Sequence, residues 1–382
     1  MIYNYKFSPA IAILIGFSAF TGVGCSEEKS ADTTTSTKNV GDQENITLAE
    51  DIYENIQVLN GTPAIHLTGV MNYFWNSLGT HCAHCHVLGK DGWKMESDEK
   101  EAKRTARRMI SMVKNINKEY FGGGNRINCF TCHRGSLEPV KFMQLPGNAM
   151  TFSEYRNRVA LSIPSLDDVL AQYQEAVGIN NSKENSGIIS FEGTFKDASG
   201  WRSQHYQIYI NDSDNYLFTA AVLGDKPDTT TYGFTDDSTW IKKGTSVQRA
   251  DDHLAYDVKS FLRLLNFRDL LSDVKDLTIV RVDSVDGEKV AVIKRPIDEF
   301  RWEEFYISSE SGLPLKRIVY TKTPVVIYTI EAAFGDYREV DGILIAHNFV
   351  YENGNSFTSG LFKIKSVKFG IDENDVSFSP PE

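Results

Sequence analysis

Cys82-Ala83-His84-Cys85-His86 and Cys129-Phe130-Thr131-Cys132-His133 decide how this chain is read. Both stretches are C-x-x-C-H. In a helical turn, residues i, i+3 and i+4 share a face. Two thiols then lie one turn apart with an imidazole beside the second. This spacing suits c-type haem: the thiols add to the two vinyl groups and the histidine reaches the iron from below. Two copies predict two covalently bound haem c groups, with His86 and His133 as axial iron ligands and Cys82, Cys85, Cys129 and Cys132 as attachment points. A four-cysteine zinc site or two disulfides would also use the cysteines. Neither requires a histidine directly after each pair.

Each motif follows a helical pattern that contains methionine. Leu67, Met71, Phe74, Trp75 and Leu78 recur at helical spacing, and Gly79 is placed to end that helix. Ala106, Met109, Ile110, Val113, Ile116 and Tyr120 form a second stripe, broken by Gly122-Gly123-Gly124. A thioether is a soft ligand that favours ferrous iron and raises the haem potential. Met71 and Met109 are therefore the candidate sixth ligands. Met112 competes with Met109 but lies farther from the stripe centre. His66, His81 and His84 are rivals, and His66 would give a bis-histidine haem. The second helix is strongly basic. Its Arg108, together with Arg134, is the candidate partner of the haem propionates, each lying next to an axial ligand.

The remaining cysteine lies near the N-terminus. Residues 10–20 (AIAILIGFSAF) have the length and apolarity of a signal-peptide core, and Gly22-Val23-Gly24 precede Cys25. This order resembles a bacterial lipoprotein signal over 1–24, with Cys25 acylated as the mature N-terminus. An uncleaved anchor over 7–24 is the alternative. Residues 25–48 carry few large apolar side chains and read as a tether. All five cysteines are thereby assigned and none is left for a disulfide. The chain is expected outside the cytoplasm, lipid-anchored to a bacterial membrane.

From Met71 to His86, then Thr105-Ala-Arg-Arg-Met109, then Asn128 to Gly135 with Pro139 following, the pattern resembles the photosynthetic reaction-centre cytochrome c subunit family. That family is a multihaem, often lipid-anchored cytochrome that re-reduces the photo-oxidised special pair. The resemblance implies Met71 and His86 on the first haem, and Met109 and His133 on the second. It also implies a redox partner at the membrane, either a reaction centre or a respiratory complex. Its reaction-centre members carry four haems, whereas this chain has haem cysteines for two. The chain is thus expected to be an electron carrier rather than an enzyme. Two methionine ligands close the iron sites that a peroxidase would need open.

Beyond 49–145, the expected cytochrome domain, residues 146–164 read as a linker. Ser165 caps a helix over 166–177. From 188 onward the apolar period changes to two, punctuated by Asp286-Gly287, Asp341-Gly342 and Asn353-Gly354 turns, with one helix near 257–271. The fold class expected is multidomain: a mainly α two-haem module, then an α+β domain over 165–382 built on a curved antiparallel sheet, half-barrel-like, with helices in its concavity. Phe334 to Gly342 through Ser366-Val-Lys-Phe369 resembles periplasmic lipoprotein-carrier domains. That likeness implies either a hydrophobic-ligand site in the concavity or a scaffold for the cytochrome. Net charge is −11, and it resides in this domain while the haem module is nearly neutral. Such acidity argues against general nucleic-acid binding.

Overall fold

The computed structural model describes residues 46–90, 92–139, 163–178, 187–200, 202–211, 215–222, 229–235, 238–250, 258–259, 261–262, 265, 276–354, 358–372 and 374–381. Cys25, the signal segment, the tether to residue 45 and most of the linker lie outside the described residues. So does most of the helix expected over 257–271, although residues 258, 259, 261, 262 and 265 are helical.

The N-terminal part is helical. Helix α1 (Ala49–Ile52) and a 3-10 turn (Ala64–His66) lead into α2 (Leu67–Leu78), then α3 (Cys82–Cys85), a small hairpin β1 (Val87–Gly89) and β2 (Gly92–Lys94), α4 (Glu101–Tyr120) and α5 (Cys129–His133). Helix α2 stops where a glycine stop was expected. Gly79 adopts φ 59°, and its N–H closes on the Trp75 carbonyl. Helix α4 departs from its expected face. It buries Ile110, Val113 and Asn117, whereas Tyr120 is 70% exposed. The physical reason is the Asn117 amide. Its Nδ2 donates to the Ile127 carbonyl (2.6 Å), while its Oδ1 accepts from the N–H groups of Arg126 (3.0 Å) and Ile127 (2.9 Å). A buried amide with all three partners clamps the loop that leads into the second motif.

The C-terminal part begins with α6 (Leu166–Val177), whose Ser165 Oγ accepts from the Asp168 N–H at 3.1 Å. Thirteen strands follow: β3 (Ile188–Asp197), β4 (Ser203–Ile210), β5 (Tyr216–Val222), β6 (Thr229–Phe234), β7 (Thr239–Lys243), β8 (Ser246–Arg249), β9 (Thr278–Val285), β10 (Glu288–Pro296), β11 (Arg301–Ser308), β12 (Pro314–Lys322), β13 (Ile327–Val340), β14 (Ile343–Glu352) and β15 (Gly360–Ile371). They form one antiparallel sheet in the order β8-β7-β6-β5-β4-β3-β15-β14-β13-β12-β11-β10-β9. Two meanders therefore run outward from a central β3–β15 pair, which joins the first strand to the last.

Sequence patterning did not predict β6, β7 or β8, nor the β1–β2 hairpin inside the haem module. Asp336 within β13 takes φ 53°, yet pairing with β14 continues on both sides.

One sheet face carries the main core. Val169, Tyr173 and Val177 of α6, with Val258, Phe261 and Leu262, pack on Phe218, Phe349 and Phe362. The alternation is visible on β10, where Ala291 and Ile293 join this core while Val290 and Val292 join a smaller cluster. Beneath α6, a cavity of about 60 Å³ is lined by Tyr173, Phe191, Phe305, Arg317, Tyr337 and Phe349, among others. Ligand pockets commonly run from ~300 Å³ upward.

The two parts touch. Leu59, Val70 and Ile110 of the helical part share a buried cluster with Val325, Val326 and Tyr328 of the β12–β13 region. Asn125 Nδ2 donates to the Thr323 carbonyl at 3.2 Å, and Asn76 Nδ2 donates to the Gly354 carbonyl. The β12–β13 and β14–β15 turns lie at one end of the sheet, and the helical part sits across them.

Candidate functional site

Both motifs form one short helical turn. Cys82–Cys85 is α3, with the His86 N–H returning to the Cys82 carbonyl at 2.9 Å. Cys129–His133 is α5, capped by Asn128, whose Oδ1 accepts from the Thr131 N–H at 3.1 Å. The four thiols are free, with Cys82 and Cys132 exposed. Burial pushes the Cys82 and Cys85 thiols up, and the Cys129 thiol up to about 11. Among the described residues, no group of three or more His, Cys, Asp or Glu side chains is placed to share a metal ion. The two cysteine pairs therefore stand apart rather than forming one four-thiol site.

The axial histidines are held by the same device. His86 Nδ1 donates to the Met95 carbonyl at 3.0 Å, and His133 Nδ1 donates to the Ser136 carbonyl at 3.0 Å. A carbonyl only accepts, so Nδ1 carries the proton in both rings and Nε2 carries the lone pair. This is the tautomer, and the kind of outer partner, that an iron-ligating imidazole requires. Burial also lowers the His86 pKa and favours the neutral ring.

The Met95 carbonyl is itself fixed. Lys103 Nζ donates to it at 2.7 Å and to the Ser97 carbonyl at 3.0 Å. Lys103 and Arg107 both reach Asp98, at 3.4 and 2.7 Å. Arg107 also donates to the Asn55 carbonyl at 2.9 Å. Part of the basic face of α4 thus ties down the loop that orients His86. The sequence assigned that face to solvent or propionates and missed this role. The one available signal was Lys/Arg at 103 and 107, one turn apart, opposite the acidic 96–99 segment.

Met71 is half-buried on α2 and packs against the cluster of Val70, Ile110 and Tyr328. Met109 is 39% exposed and Met112 44%, and Met112 lines a groove along α4 with Arg107, Arg108 and Ile116. Arg108 donates to Glu101 Oε1 (3.0 Å) and Thr105 Oγ1 (2.7 Å) on its own helix. Arg134 is exposed and takes the left-handed cap position of α5, with φ 49°. His66 is buried, with its Nδ1 3.1 Å from the Tyr328 hydroxyl, so it belongs to the contact with the sheet.

The two motifs are joined backbone to backbone. Helix α2 packs on α5, and the Gly135 N–H donates to the Ser77 carbonyl at 3.0 Å. A Cβ on Gly79 would lie 2.0 Å from the Gly135 carbonyl oxygen, and Gly135 itself takes φ 82°, a conformation that favours glycine.

A haem fits the surroundings. Leu88, Trp93, Met109, Met112, Tyr120, Phe121, Phe130 and Leu137 are all exposed, and all belong to the small helical part. Leu88 closely follows the first attachment turn, Phe130 lies within the second and Leu137 follows it.

Residues 16–160 match the family described as photosynthetic reaction centre cytochrome C subunit. The photosynthetic reaction center cytochrome c subunit of Roseobacter denitrificans is 33% identical over 175 residues, 39% of this chain and 47% of that protein. Its namesake in Thermochromatium tepidum is 33% identical over 95 residues, 24% of this chain and 22% of that protein. Cytochrome c-554 of Chloroflexus aurantiacus is 32% identical over 88 residues, 22% and 20% of the two chains. The chain thus spans half or less of the length of these curated relatives. Among solved structures, a putative outer membrane lipoprotein-sorting protein domain from Vibrio parahaemolyticus is 15% identical. That likeness covers 55% of this chain and 94% of that one, with a TM-score of 0.37. The matches agree with the motif reading: the segment carrying both C-x-x-C-H turns is similar to c-type cytochromes, a family that implies covalently bound haem c.

Proposed function

We propose that this chain is an exported two-haem c-type cytochrome, anchored to a bacterial membrane through acylated Cys25, that passes electrons to or from a larger redox complex. The first haem is held by Cys82 and Cys85, with His86 and Met71 as axial ligands. The second is held by Cys129 and Cys132, with His133 and Met109. Arg134 and Arg108 are the propionate partners, Arg108 after leaving Glu101. The observation that carries the reading is the repeated histidine tie: in both motifs Nδ1–H is spent on a backbone carbonyl and Nε2 keeps its lone pair.

Haem iron supplies a one-electron couple between its ferrous and ferric states. The protein's part is to fix that couple. Two thioether linkages prevent loss of the group outside the cytoplasm. The Met95 and Ser136 carbonyls set ring orientation and raise imidazole basicity. A methionine on the opposite side raises the potential. In this reading the partner is a reaction centre, as the relatives' names suggest, or a respiratory complex. No described helix is long and apolar enough to cross a membrane, and the proposed anchor is the lipid on Cys25.

An alkaline-pyridine haemochrome assay on the purified chain should give two haems. Zero haem would end the proposal. Co-purification with reaction-centre subunits, or with a respiratory complex instead, identifies the partner.

A further inference from the structure

The family match ends at residue 160, so it gives no role to the sheet. The sheet nevertheless reaches the helix that bears Met71, most closely at one residue. Tyr328, near the start of β13, lays its ring on Gly69 of α2. A Cβ at Gly69 would lie 2.4 Å from a ring carbon, so no other residue fits beneath the ring as it stands. The Tyr328 hydroxyl is 3.1 Å from His66 Nδ1, and the two rings meet edge to face with centroids 6.2 Å apart. The ring therefore meets Gly69 inside α2 and His66, the residue that caps its N-terminus. Val325 and Val326 complete the same buried cluster, against which Met71 packs. Asn76, a turn and a half beyond Met71, is tied to the Gly354 carbonyl in the neighbouring turn. Helix α2 is thus pinned to the sheet on both sides of Met71. By the 100° step of an α-helix, Gly69 and Met71 stand about 200° apart, on opposite sides of the axis.

We propose that Tyr328 is a positioning residue for the first haem: it backs α2 against the sheet and so sets how closely Met71 approaches the iron. The inference rests on the reading of Met71 as a ligand. It gives the sheet domain a function, since the Tyr328 ring bears directly on the helix that carries Met71, at Gly69. A packed core transmits a small shift because it does not deform smoothly.

The test uses the full-length, haem-loaded chain with two readouts: the sulfur-to-iron charge-transfer band of each ferric haem, and the two midpoint potentials. Met71→Leu is expected to abolish one band. Tyr328→Ala is expected to weaken that same band and to lower that haem's potential, moving the second haem less. Tyr328→Phe keeps the ring and loses only the hydroxyl, and should shift the same haem less. If Met71→Leu leaves both bands intact, the ligand assignment fails and this inference falls with it. If Met71→Leu removes a band while no folded Tyr328 variant moves that haem, the positioning role alone is overturned. Equal movement of both haems would indicate general loosening and would also overturn it. Should Tyr328→Ala not accumulate, Tyr328→Phe decides by the same criteria.

Discussion

The sheet domain and the helical module solve the same problem in opposite ways. The sheet supplies its own interior. Phe362 stacks on Phe349 with ring centroids 4.5 Å apart, and Phe195 and Phe261 approach it within 4.4 and 4.8 Å. The helical module has few residues buried, leaves Phe121, Phe130 and its α4 methionines exposed, and borrows Val325, Val326 and Tyr328 to close its one cluster. One region is stabilised by side chains packing on side chains. The other, on the proposed function, is completed by the haems it carries.

That contrast can be broken most severely at the attachment points. Replacing Cys129 and Cys132 by Ser should halve the haem content and leave the 121–137 region open to proteolysis, with the sheet still folded. Loss of the sheet signal as well would show that the two regions do not fold separately. The reciprocal change is Phe362→Ala, a fully buried ring in the sheet. It should cost about 3–5 kcal/mol, read as a fall in the sheet's melting midpoint, while haem stoichiometry holds. Asn117→Ala probes the helical module without touching a motif. Losing three hydrogen bonds to the 126–127 backbone should cost roughly 1–3 kcal/mol and shift the second haem's spectrum more than the first's.

The smallest effect concerns pH. Arg107, by hydrogen bond, then Asn55 and the nearby cations hold the Asp98 carboxyl well below the usual carboxylate range. A depressed carboxylate contributes stability above its unfolded value, near 4, and loses it as pH falls through the folded one. The haem module should therefore loosen in acid, and Asp98→Asn should flatten that dependence. An unaltered acid profile in the variant would remove Asp98 from the account.

What the sequence disclosed follows from range. The C-x-x-C-H turns, the Gly79 stop and the Ser165 cap are decided within four residues, and each was legible. Asn117 was not, because a polar residue within an apolar stripe reads as solvent-facing until its partners, ten residues on, are known. Nor was Tyr328, whose partner His66 is 262 positions away. Strands β6 to β8, at one end of the sheet, were passed over. β8 is exposed at every position, and such a strand carries no alternation to detect. The basic residues of α4 were read correctly as charged and incompletely as to purpose, since Lys103 and Arg107 serve a carbonyl and a loop.

The Gly79–Gly135 crossing works as a ruler. Cys82 lies three residues along the chain from one glycine and His133 two residues from the other. An extended chain spans at most ~3.6 Å per residue, so the two attachment turns cannot separate by more than roughly 20–25 Å while the crossing holds. On the proposed function, the backbone itself thereby bounds the distance between the two haem attachment points, whether or not a partner is docked.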